Sequence, residues 1–182
     1  MKMFRTFLII PTLLFCAACV HVASPLPPAA KADHETAILY GRFDISHQYA
    51  FGFRLGLWLQ NLDTEKPVYL YFDPDRSVYA VQVKPGHYRV AGFVGLTHED
   101  QIRARKPYPP DGFMGRMFTS FYVAPEAQIY LGDYKGHVTY DGVMVKWGLD
   151  SSANRFTETT LEYRRKYPNL VTAPAVSVFN LF

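Results

Sequence analysis

The sequence predicts a mainly β fold, an antiparallel β-sandwich with one C-terminal helix, and three observations predict it. Aromatic residues make up 16% of the chain, with 13 Tyr and 14 Phe, and Tyr, Phe and Val suit pleated, half-buried surfaces. Between residues 36 and 147, short stretches favour strand, several alternate apolar and polar residues, and Pro, Gly and Asp turn signals separate them. One stretch alone, 157–167, carries helical spacing with a Pro stop behind it. A chain of 182 residues suits one domain with a sizeable core.

The first element is an address. Lys2 and Arg5 form a positive start, residues 7–15 are apolar apart from Pro11 and Thr12, and Ala17 and Ala18 precede Cys19. Those are the three parts of a secretory signal, expected over residues 1–18. The apolar run is too short to span a bilayer, which takes ~20 residues. The end of the segment resembles a bacterial lipobox, with Ala17, Ala18 and Cys19 at positions −2, −1 and +1 and Cys16 at −3, where Leu is usual. The resemblance implies cleavage before Cys19 and lipidation of Cys19. It also implies an outer-membrane destination, because Val20 rather than Asp follows the Cys. Cys16-x-Ala18 satisfies the small-x-small rule of ordinary signal cleavage as well. Multiple acyl chains, each contributing ~0.8 kcal/mol per buried methylene, anchor a protein stably without a spanning helix.

Residues 19–34 follow as the lipidated Cys and a tether containing Pro25, Pro27 and Pro28. Such composition reads as a semi-extended spacer. Two of the 19 Lys and Arg residues, Lys2 and Arg5, leave with the signal, so the rest nearly balances 16 Asp and Glu. Nothing in that balance points to nucleic acid. Cys16 leaves too, and a lipidated Cys19 excludes any disulfide.

The domain is expected over residues 35–182. Residues 36–45 are a first strand. Residues 53–62 alternate, with Phe53, Leu55, Leu57 and Leu59 on one face and Arg54, Gly56, Trp58 and Gln60 on the other. Residues 61–66 read as a turn and 68–72 as a strand closed by Asp73-Pro74-Asp75. Residues 77–84 and 87–95 flank Pro85-Gly86, whose φ preferences meet a type II turn, and read as a hairpin. Val83-Lys84-Pro85-Gly86-His87-Tyr88-Arg89-Val90 resembles the strand–turn–strand of prealbumin-like, carboxypeptidase-regulatory-like sandwich modules, which implies a fold and no catalytic residue.

Residues 96–112 read as a long loop, and strands resume at 117–123, 128–134 and 138–147, with a break at Lys135-Gly136. In the helix, Thr157 is the expected cap. Glu158 and Glu162 lie early and Arg164, Arg165 and Lys166 late, a polarity that suits the helix dipole. Phe156, Thr160, Tyr163 and Tyr167 form its docking stripe, and Pro168 ends it. Residues 175–182 read as a last strand or docking segment.

No nucleophile motif, zinc-ligand spacing or Gly-rich phosphate loop is present. No catalytic residue, cofactor or metal is therefore expected. Glu99 and Asp100 are too few oxygen ligands for a hard cation. The candidate binding residues are Arg103, Arg105, Lys106 and Tyr108, a basic arm framed by prolines, because long irregular loops are disproportionately functional. The expected function is a membrane-anchored envelope lipoprotein acting as a binding or accessory module. Its partners would be the membrane, through the lipid, and an envelope protein or peptidoglycan. Two alternatives stay open: a small periplasmic enzyme whose site forms only in the fold, and an eight-stranded outer-membrane β-barrel, suggested by the C-terminal Phe182.

Overall fold

The structure, a computed structural model, describes residues 21–44, 53–71, 78–97, 102–107, 120–140, 145–151 and 155–178. Eleven strands appear among them: β1 (His21–Ala23), β2 (Ala37–Asp44), β3 (Phe53–Asn61), β4 (Pro67–Tyr71), β5 (Val78–Val83), β6 (Gly86–Thr97), β7 (Ile102–Pro107), β8 (Phe121–Val123), β9 (Gln128–Tyr140), β10 (Val145–Ser151) and β11 (Ala175–Ser177). One helix, α1 (Phe156–Lys166), and a 3-10 turn at Pro168–Leu170 complete the set.

Period-two alternation places the strands in two packed layers. The first sheet runs β1-β4-β3-β6-β7, with β8 also on β6; the second runs β10-β9-β2-β5, with β11 also on β9. Most pairings are antiparallel; β1 on β4, β2 on β9 and β11 on β9 are parallel. The fold is a β-sandwich with a C-terminal helix. Among the described residues its strands divide between two sheets.

Two apolar layers hold it together. Between the sheets, Leu57, Leu59 and Leu70 meet Leu39, Val81 and Leu131, all fully buried. Each such side chain contributes ~1.5–3 kcal/mol over an exposed one. The outer face of the second sheet forms the other layer, where Tyr40, Val78, Ala80 and Tyr130 lie under Tyr163, Tyr167 and Leu170. The Tyr40 and Tyr163 rings stack with centroids 4.2 Å apart and 15° between planes. Of the docking stripe predicted from helical spacing, Thr160, Tyr163 and Tyr167 are buried and Phe156 is partly buried against the same layer. The expected cap is corrected: Arg155 occupies the N-cap with no side-chain hydrogen bond, and Thr157 is exposed within the first turn.

Four further expectations are corrected. Pro85-Gly86 does not close a hairpin, because β5 pairs with β2 in the second sheet and β6 with β3 in the first. It is an arch between sheets; alternation reveals a strand but not its partner. Lys135-Gly136 does not break a strand, since β9 runs through it with β10 paired alongside. Residues 96–112 are not one loop, since β6 extends to Thr97 and β7 pairs beside it.

The fourth correction concerns the tether. Within residues 19–34, His21–Ala23 is strand β1 on β4, and Ala23 is buried. The Leu26 N–H donates to the Ala80 carbonyl of edge strand β5 at 2.8 Å, and Leu26, Ala30 and Ala32 pack on the layer under the helix. The segment stitches one sheet to the other along their open side. Its composition is poor in large apolar residues, but docking here draws on unpaired strand edges, which composition does not report.

Candidate functional site

A cleft of about 400 Å³ opens between the β3–β4 turn and the β5–β6 arch. The turn is built by its own sequence. Asn61 Oδ1 accepts from the Asp63 N–H at 3.0 Å, the Thr64 N–H at 2.9 Å and the Thr64 hydroxyl at 3.0 Å. This is the Asx arrangement that favours Asn before a turn. Glu65 takes a left-handed φ of 58°, and the Asn61 N–H closes onto the Lys66 carbonyl at 3.0 Å.

Two contacts join turn and arch. The Leu62 N–H donates to the His87 carbonyl at 2.7 Å. The Asp63 carboxylate accepts from the His87 backbone N–H at 2.8 Å and faces its Nδ1 at 2.9 Å. Those bonds, the backbone one foremost, hold the Asp63 carboxyl below its ordinary pKa. Gly86 between them has φ +149°, and a Cβ there would lie 2.6 Å from Asp63 Oδ2. On the arch side, the Tyr88 hydroxyl donates to the Lys84 carbonyl at 2.8 Å, and burial raises the Tyr88 pKa.

Pro67, Val68, Val83, Pro85 and Tyr88 give the cleft apolar walls, and Lys66 and Lys84 line it as cations. Both lysines are exposed, and among the described residues neither has an ion-pair partner. The one acid in the lining, Asp63, is engaged by His87. The arrangement therefore offers two unengaged positive charges above an apolar floor. Asp63 also orients the His87 imidazole, the geometry of a carboxylate-assisted general base.

The predicted site residues lie elsewhere. Arg103, Arg105 and Lys106 sit on β7, an edge of the first sheet, with Arg105 paired to Val94 and Lys106 to Phe93. Pro107 pairs with Gly92, so roughly 20 Å of β6 separates this end of β7 from the arch at Gly86. Tyr108 and Cys19 lie outside the described residues, as do Glu99 and Asp100. The cleft escaped sequence reasoning although both of its turns were legible as turns, because nothing in their spacing shows that they meet.

A second polar cluster is structural. Asp133 is buried under α1, where the Thr159 hydroxyl lies 3.0 Å from both carboxylate oxygens and the Tyr130 hydroxyl donates at 2.9 Å. Burial raises the Asp133 pKa against the opposing effect of those donors. Arg42 contacts Glu162 alongside. The cluster pins the helix to β2 and β9.

Neither a family model nor a curated protein matches the chain. Among solved structures, a leucine-rich repeat protein from Bacteroides thetaiotaomicron VPI-5482 is similar over 50% of this chain, at 10% identity and a TM-score of 0.27. The chain spans 11% of that protein's length. A likeness at that score carries no argument about this chain.

Proposed function

We propose that this chain is an envelope lipoprotein, anchored in a bacterial outer membrane through acyl groups on Cys19, whose β-sandwich acts as a binding or assembly module. One observation carries the reading: a charged start, a short apolar run and Ala17-Ala18-Cys19 stand directly ahead of strand β1, which begins at His21. A lipid on Cys19 would hold the domain without a spanning helix. The docked segment that follows supports a module held close to the leaflet rather than one on a long leash.

The test is the intact mass of the N-terminal peptide from membrane fractions, with and without a lipoprotein signal-peptidase inhibitor. Acylated Cys19 that disappears under the inhibitor is the expected result. An unmodified N-terminus at or beyond Cys19 would sink the reading.

A second reading, a small periplasmic enzyme, is favoured by the exposed Asp63–His87 pair beside the cleft, which Asp63 lines and His87 does not. It predicts a hydrolytic activity abolished by His87→Gln with the fold intact. A panel of ester and amide substrates showing no His87-dependent turnover would remove it.

A further inference from the structure

We propose that the cleft between the β3–β4 turn and the β5–β6 arch seats the headgroup of an anionic phospholipid, in the leaflet that holds Cys19. The inference rests on the lipoprotein reading and says which end of the domain meets the lipid, and with which residues.

Placement comes first. β1 runs parallel to β4 with His21 opposite Val68. Strand β1 therefore begins beside Val68, next to Pro67 and Lys66, at the end of the first sheet where the cleft opens. Only Val20 separates Cys19 from β1, and two residues of chain span at most ~7 Å. An acylated Cys19 cannot stand far from the cleft. The exposed Leu62 is on the turn at that same end.

Chemistry comes second. Lys66 and Lys84 are without ion-pair partners among the described residues, and they stand on opposite walls of the cleft. A phosphate between them would meet two cations, while Pro67, Val68, Val83 and Pro85 would face its glycerol and first methylenes. Asp63 accepts from the His87 N–H, so the one acid in the lining is turned to the arch. Glu65, the other acid of the turn, is exposed and does not line the cleft. A volume of about 400 Å³ lies in the range of small-ligand clefts.

Native mass spectrometry of the protein extracted from membranes in non-ionic detergent tests the proposal. Mass that survives activation reports acylation of Cys19, and mass that is shed reports bound lipid. With phosphatidylglycerol or phosphatidylcholine added, a phosphatidylglycerol adduct is expected in preference. Lys66→Gln/Lys84→Gln is expected to weaken that adduct roughly thirtyfold, since each basic residue near an anionic surface contributes about fivefold. Lys135→Gln/Arg165→Gln, which removes equal charge away from the cleft, is expected to leave it unchanged. An acylated protein with no headgroup preference, or equal loss in both double variants, overturns the headgroup site and leaves the anchor standing. Displacement of the lipid by inorganic phosphate at equal concentration overturns the lipid as ligand in favour of free phosphate. An unmodified Cys19 removes the anchoring reading, and this proposal with it.

Discussion

Asp63 accepts a hydrogen bond from the backbone N–H of His87 and faces the ring Nδ1 of the same residue, at 2.8 and 2.9 Å. A residue in a turn of one strand pair thus locks the arch that joins the two sheets. The contact ties the turn to the arch and orients one imidazole.

The lock has a pH signature. The Asp63 carboxyl is held below its ordinary value of 3.8. A depressed carboxylate contributes fully above the unfolded pKa and loses its contribution as pH falls through the folded one. The arch is therefore expected to stay closed at neutral pH and to loosen below about pH 4. The His87 amide shift followed by NMR through acid should show the step, and Asp63→Asn should remove it.

Gly86→Ala is expected to destabilise by about 1–3 kcal/mol, because φ of +149° strains an L residue and its Cβ would press on Asp63 Oδ2. Urea denaturation measures the loss. A midpoint equal to that of the parent protein would mean the arch relaxes freely.

Asp133 is the opposite electrostatic case. Burial raises its pKa, so the folded state favours the neutral acid. The stability tied to this group is full below 3.8 and declines as pH rises through the folded value. Asp133→Asn keeps an acceptor for the Tyr130 hydroxyl and a polar partner for Thr159. It is expected to flatten the stability profile above about pH 4, where the raised carboxyl would otherwise have to ionise in the folded state. Asp133→Ala removes the acceptor that the Tyr130 and Thr159 hydroxyls share and is expected to cost about 1–3 kcal/mol.

The tyrosines under α1 separate a hydrogen bond from a ring. The Tyr40 hydroxyl lies 2.7 Å from Thr160 Oγ1, and burial pushes its pKa up to about 12. The buried Tyr163 hydroxyl has no hydrogen-bond partner among the described residues. Tyr163→Phe is expected to be neutral or stabilising, whereas Tyr40→Phe is expected to lose about 0.5–1.5 kcal/mol. Tyr163→Ala, which deletes the stacked ring, is expected to lose about 3–5 kcal/mol. Thermal melts of the three variants give that order or contradict it.

Removing residues 21–32 uncovers the edges of β4 and β5 and takes away buried Ala23. Loss of roughly 2–4 kcal/mol is expected, together with self-association through the exposed edges. Denaturation and sedimentation of the shortened chain test both. An unchanged midpoint would restore the tether reading of this segment.

What the sequence by itself determined here is local. Leu57 and Leu59 alternate with Trp58 and Gln60, so that face had to turn inward, and it does. Thr160, Tyr163 and Tyr167 recur at helical spacing, so that stripe had to dock, and it does. Asn61 and Pro85-Gly86 announced turns because their preferred backbone angles are properties of single residues. Only the tertiary structure decided partners. β5 and β6 looked like a hairpin, yet they lie in different sheets, because pairing is set by which edges and apolar faces meet across the whole chain. The same holds for residues 21–32, whose docking depends on edges supplied by β4 and β5. It holds for the cleft, where Lys66 and Lys84 line one cavity although 18 positions separate them in the chain. Local angles and periodicity are written residue by residue; the meeting of distant turns follows from the packing of both sheets together.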